Sequence, residues 1–122
     1  MTLVGTLVAE SLQAGGVLEG APLTVTRIYR ADAGDVGADQ PRTWTFVAFE
    51  APDDEADRLA HALERALDRG PWYCDFRSEE ETFVVYAGRT FRYPRGDERG
   101  RAAAVAHGRS VGVPEEQLDW PE

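Results

Sequence analysis

One cysteine in 122 residues excludes an internal disulfide and any CxxC metal or redox site. Lysine and asparagine are absent altogether, so all thirteen positive charges are arginine. Those arginines are spread along the whole chain, which reads as codon bias of a GC-rich genome rather than as chemistry. No stretch approaches the roughly 20 apolar residues that a membrane-spanning helix needs. Met1–Gly5 lacks the basic start and long apolar run of a signal peptide, so a cytoplasmic location is expected. Positive charge is outweighed as well. The net charge of −9 opposes non-specific binding to nucleic acid or to an anionic membrane surface, and membrane and nucleic-acid partners are not expected.

What is present suffices for one domain spanning residues 1–122. The chain is 43% hydrophobic, with three Trp, four Tyr and five Phe, and can bury a core without covalent staples. The stretch Trp72–Tyr93 organises it. Trp72, Cys74 and Phe76 alternate with Tyr73, Asp75 and Arg77, and after Ser78–Glu81 the run Thr82–Ala87 alternates again, which is the pattern of a β-hairpin. Pairing Arg77 with Thr82 sets Phe76 opposite Phe83 and Cys74 opposite Val85 on one face. Tyr73, Asp75, Val84 and Tyr86 take the other. A two-residue turn at Gly88-Arg89 would pair Ala87 with Thr90 and add Phe91 and Tyr93 to that second face. A bulged turn would instead slip the register by one and move both to the first.

Strands are also expected over residues 2–12, 23–31 (with a bulge near Thr26) and 43–50, the last with aromatics on both parities as in a central strand covered on two faces. Residues 31–42 carry turn formers and little apolar content, and read as a flexible loop. Ala56, Leu59, Ala60, Leu63, Ala66 and Leu67 trace one apolar stripe and predict a helix with Asp53 as its cap. A second helix is expected from about Asp97 to Val111, its narrow stripe formed by Ala102, Val105, Ala106 and Val111. Leu118 and Trp120 would anchor the tail. The fold class is therefore α+β: a mostly antiparallel twisted sheet of about six strands in the order β-β-β-α-β-β-β-α, with two helices packed on one face.

The segments Trp72-Tyr-Cys-Asp-Phe-Arg77, Phe91-Arg-Tyr-Pro-Arg-Gly-Asp97 and Val113-Pro-Glu-Glu-Gln-Leu-Asp-Trp120 resemble small uncharacterised proteins of GC-rich bacteria. That resemblance covers the C-terminal half and implies no activity, so no functional residue transfers from it.

No catalytic set emerges. Cys74 with His61 or His107 holds the elements of a thiol nucleophile, but its parity places it in the core. His61 and Glu64 form a single i, i+3 pair, short of a metal site, and Asp32, Asp35 and Asp39 miss the calcium-loop pattern. No cofactor or metal is expected. Two surfaces remain. Tyr73, Asp75, Tyr86, Phe91 and Tyr93 would form a tyrosine-rich binding patch or pocket if both helices sit on the other face, or be covered by the chain's own strands or tail. Between Arg89 and Arg109 the chain carries +4 against −13 elsewhere, and Arg92, Arg95 and Arg99 lead into a helix N-terminus, either as an anion site or as ion-paired surface residues. The expected function is a non-enzymatic binding or regulatory module acting by protein–protein contact, as a homodimer or with another protein. The alternative is an anionic small-molecule binder with weak enzymatic activity.

Overall fold

In a computed structural model that describes residues 2–121, alternation and periodicity produce six strands and two helices. The strands are β1 (Thr2–Val8), β2 (Thr24–Asp32), β3 (Thr43–Pro52), β4 (Cys74–Arg77), β5 (Glu81–Tyr86) and β6 (Arg89–Pro94). The helices are α1 (Ala56–Ala66) and α2 (Glu98–Ser110). The sheet runs β2-β3-β1-β4-β5-β6 with every neighbouring pair antiparallel. Strands β3 and β4 both flank β1, so α1 is the crossover of a split βαβ unit. The α+β class and the order of elements are as the sequence implies.

Register decides which side chains share a face. Cys74 pairs with Val85, Phe76 with Phe83 and Arg77 with Thr82, as alternation requires. The next turn differs from expectation: Tyr86 pairs with Arg89, so the loop is Ala87-Gly88 and the register moves by two residues. Gly88 takes the second loop position at φ +75°, a conformation glycine adopts without a Cβ penalty. A shift of two keeps parity, and Phe91 and Tyr93 stay on the face of Val84 and Tyr86. The bulge in β2 falls between Val25 and Arg27.

The sheet separates two cores. On the first face, α1 lays Leu59, Ala60 and Leu63 over Leu3, Leu7, Phe49, Cys74, Phe76 and Val85. A short turn, Asp53–Glu55, leads into α1, and Asp53 makes no side-chain cap. On the second face, Ala104 of α2 and the tail residues Val113, Leu118 and Trp120 cover Val84, Tyr86 and Tyr93. The helices therefore lie on opposite faces, which corrects the expectation that both pack on one.

The reason lies in α2 itself. Its contact ridge is Gly100, Ala104 and Gly108, spaced four apart, while Ala102 and Ala106 of the expected stripe are exposed. A Cβ on Gly100 would lie 2.3 Å from Tyr93 Cβ, and one on Gly108 would lie 2.7 Å from the Tyr86 hydroxyl. Two positions without a Cβ thus let the helix settle directly on two tyrosine rings. Asp97 caps it, accepting the Arg99 backbone N–H at 3.1 Å.

Candidate functional site: an aromatic cleft beside the open half of the sheet

The tyrosine face is closed by the chain itself. Tyr86 is 1% exposed and Tyr93 4%. The Tyr86 hydroxyl donates to Ala104 O at 2.8 Å, and Trp120 Nε1–H donates to the Tyr93 hydroxyl at 2.7 Å. Phe91 is half-buried against Tyr86 and His107, with the Arg89 guanidinium over its ring. Of the five residues expected to form the patch, Tyr86, Phe91 and Tyr93 are therefore packing residues of α2. The rings of Tyr86 and Tyr93 offer almost no free surface, because the small ridge of α2 admits the helix onto them, and Phe91 keeps only part of its ring exposed.

Tyr73 and Asp75 have a different setting. They line a cleft of about 270 Å³ whose walls include Trp44, Phe46 and Trp72, with Glu116, Gln117 and Asp119 of the tail on one side. Each wall is held in place. Trp44 Nε1–H donates to Pro41 O at 2.8 Å, and its ring meets Trp72 at 5.3 Å. The Tyr73 hydroxyl donates to Gln117 O at 2.5 Å. Gln40 and Gln117 exchange amide hydrogen bonds at 3.0 and 2.7 Å, and Gln40 also donates to Pro71 O. This amide pair ties the 33–42 loop to the tail, so the segment expected to be flexible is an anchored wall of the cleft.

Asp75 sits between Thr6 of β1 and Val84 of β5 in the ladder, facing the cleft. Enclosure pushes its carboxyl up to about 6; Arg77 and Arg101 pull the other way, and Asp119 adds to the rise. Burial also raises the Tyr73 phenol far above its usual range, with Asp75 contributing. The thiol of Cys74 points to the first face, is pushed up by burial, and donates to Thr6 O at 3.5 Å. His107 packs on Tyr86 across the sheet and His61 is exposed on α1, so no base reaches the thiol.

The arginines do not converge. Arg92 projects to the α1 side, bidentate on Glu81 at 2.8 Å and 3.1 Å from Asp57. Arg99 belongs to the first turn of α2, across the sheet. Arg95 donates to Ser78 O and Glu79 O, and shares a shallow groove with Arg77 rather than with Arg92 or Arg99. Strand alternation separates Arg92 from its expected companions, which removes the three-arginine anion site.

The site also contains what alternation did not reveal. Val4, Thr6 and Val8 of β1, Phe46, Ala48 and Glu50 of β3, and Arg27 and Tyr29 of β2 share the second face by register. Neither α2 nor the tail covers this half. Val4 is 42% exposed, Arg27 and Glu50 are exposed, and Phe46, Ala48 and Tyr29 are half-buried. Tyr29 stacks on Phe46 at 5.0 Å, and Arg27 lies over Tyr29 at 4.2 Å. The aromatics on both parities of β3 were the available signal, but they mark one covered face and one open one. No family model matches the chain, and neither does any curated protein or solved structure.

Proposed function

We propose that the protein is a non-catalytic binding module that works in the cytoplasm by protein–protein contact. The open half of the second sheet face is its contact surface, and a second copy of the chain is its occupant. One observation carries this reading: an apolar strip of Val4, Ala48 and Tyr29, bordered by the cations Arg27 and Arg77 and the carboxylate Glu50, lies on a half of the face that neither α2 nor the tail covers. Such a patch is self-complementary. A two-fold axis through it sets Arg27 of one copy against Glu50 of the other, which is the isologous arrangement of most homodimers. The −9 carried by each copy opposes association at long range, but physiological salt screens that repulsion beyond about 8 Å.

Size-exclusion chromatography with light scattering tests it. The wild type should run at twice the chain mass and Ala48→Asp as a folded monomer. Arg27→Glu and Glu50→Arg should each weaken the dimer by roughly fivefold, about 1 kcal/mol, and the double exchange should restore it. A wild-type monomer at every concentration sampled would overturn the reading.

A further inference from the structure

The cleft lies at the opposite end of this face from Val4 and Glu50, and its chemistry differs from that of the apolar strip. At about 270 Å³ it falls just below the roughly 300–1,000 Å³ of pockets that hold drug-sized ligands, so it suits an occupant the size of one side chain. Its walls present aromatic rings from two parts of the chain: Trp44 and Phe46 of β3, and Trp72 and Tyr73 just before β4. None of its lining residues is a cation, whereas Asp75, Glu116 and Asp119 supply carboxylates.

The hydrogen-bonding capacity of the cleft is one-sided as well. The Tyr73 hydroxyl is spent on Gln117 O, and the Gln117 amide on Gln40 and Asp35 O. Among the described residues, no other side chain hydrogen-bonds or ion-pairs with Asp75, although it is largely enclosed at the floor. Arg101 lies over the Trp120 ring at 4.8 Å and donates to Trp120 O at 3.0 Å. Apart from the Thr6 hydroxyl and the Trp72 indole N–H, what remains for an occupant is a set of acceptors and π-faces. Such a set repels anions and matches a soft, weakly hydrated positive charge.

We infer that the cleft is a receptor for a small organic cation, an alkylammonium or guanidinium group, held against Trp44, Trp72 and Tyr73 with Asp75 and Asp119 as counter-charges. Nothing in this site requires the dimer. The charged and titratable groups around Asp75 are Cys74 and Arg77 on its own strand, Tyr73 just before it, Glu116 and Asp119 of the tail, and Arg101 of α2; its ladder neighbours Thr6 and Val84 carry none. A bound cation favours the ionised carboxyl, so affinity rises with pH through about 6.

The test is a titration followed by ¹⁵N–¹H correlation spectra. Its probes are choline, its neutral isostere 3,3-dimethylbutan-1-ol, N-acetylarginine amide, and sodium chloride at matched ionic strength. Choline or the arginine amide should shift the indole N–H signals of Trp44 and Trp72 saturably. The tighter of the two identifies the source, a free quaternary ammonium or a side chain carried by another protein. Asp75→Asn should weaken binding roughly tenfold with the spectrum otherwise intact, as should lowering the pH from 7 to 5. Ala48→Asp should bind as the wild type does, which separates failure of the dimer from failure of the cleft. Equal binding of the neutral isostere, undiminished binding by Asp75→Asn, or no response beyond that to sodium chloride would each overturn the inference.

Discussion

Gly100 and Gly108 are positions where the absence of a side chain is the structural contribution. In an isolated helix, Gly→Ala gains about 1 kcal/mol. Here the added methyl of Gly100→Ala would meet Tyr93 Cβ at 2.3 Å and that of Gly108→Ala would meet Leu118 Cδ2 and the Tyr86 hydroxyl at 2.7 Å. Overpacking of this kind costs about 1–3 kcal/mol and outweighs the helical gain. Urea denaturation should therefore show both variants destabilised, Gly100→Ala the more so because its clash is with the base of a ring rather than with its tip. Ala103→Gly, on an exposed helical position, should cost only the propensity, about 1 kcal/mol.

The tail is the element that closes the tyrosine face. Trp120 is 3% exposed, meets Tyr73 edge-on at 5.2 Å and donates to the Tyr93 hydroxyl. Trp120→Ala should cost about 3–5 kcal/mol and leave α2 without its partner layer. Binding of a hydrophobic dye to the variant under native conditions would report the uncovered rings; a wild-type response with unchanged stability would contradict the role given to the tail. This layer also shows what could be read in advance. The hairpin of β4 and β5, the bulge in β2, the extent of α1 and the anchoring by Leu118 and Trp120 were legible, because alternation and helical period record burial residue by residue. The side of the sheet taken by α2 was not, since a Gly-Ala-Gly ridge has almost no hydrophobic signature. Of the cleft, Tyr73 and Asp75 were legible from strand parity. Trp44 and Phe46 were not, because they arrive through the pairing of β1 with both β3 and β4, and pairing between strands distant in sequence leaves no local mark. The separation of Arg92 from Arg99 followed from the same missing information.

At the scale of the whole molecule, Asp75 gives stability a pH dependence of unusual sign for a carboxylate. Its folded-state value of about 6 lies above the ordinary 3.8, so between those limits the folded chain holds the proton more tightly than the unfolded one. Its contribution is therefore fully favourable below about pH 4 and falls away as pH rises to about 6. The rise from 3.8 to about 6 has a ceiling of ~3 kcal/mol, and partial exposure to the cleft reduces it to about 1–2 kcal/mol. Asp75→Asn should thus be indistinguishable from the wild type in thermal melting at pH 4 and more stable by about 1–2 kcal/mol at pH 7; equal stability at both pH values would contradict the enclosed carboxyl. Glu81 contributes with the opposite sign. Hydrogen bonds from Arg92 hold its carboxyl below the usual 4.5, so that support is lost only in stronger acid. The sheet itself is two three-stranded blocks, β2-β3-β1 and β4-β5-β6, stitched in the ladder by three residue pairs, Val4 with Arg77, Gly5 with Phe76 and Thr6 with Asp75. The cleft straddles the end of that stitching, with Thr6, Val8 and Phe46 on one block and Tyr73 and Asp75 on the other. Whatever lodges there grips both blocks at once, so filling it and stiffening the joint are the same event, and a small guest can brace the entire chain.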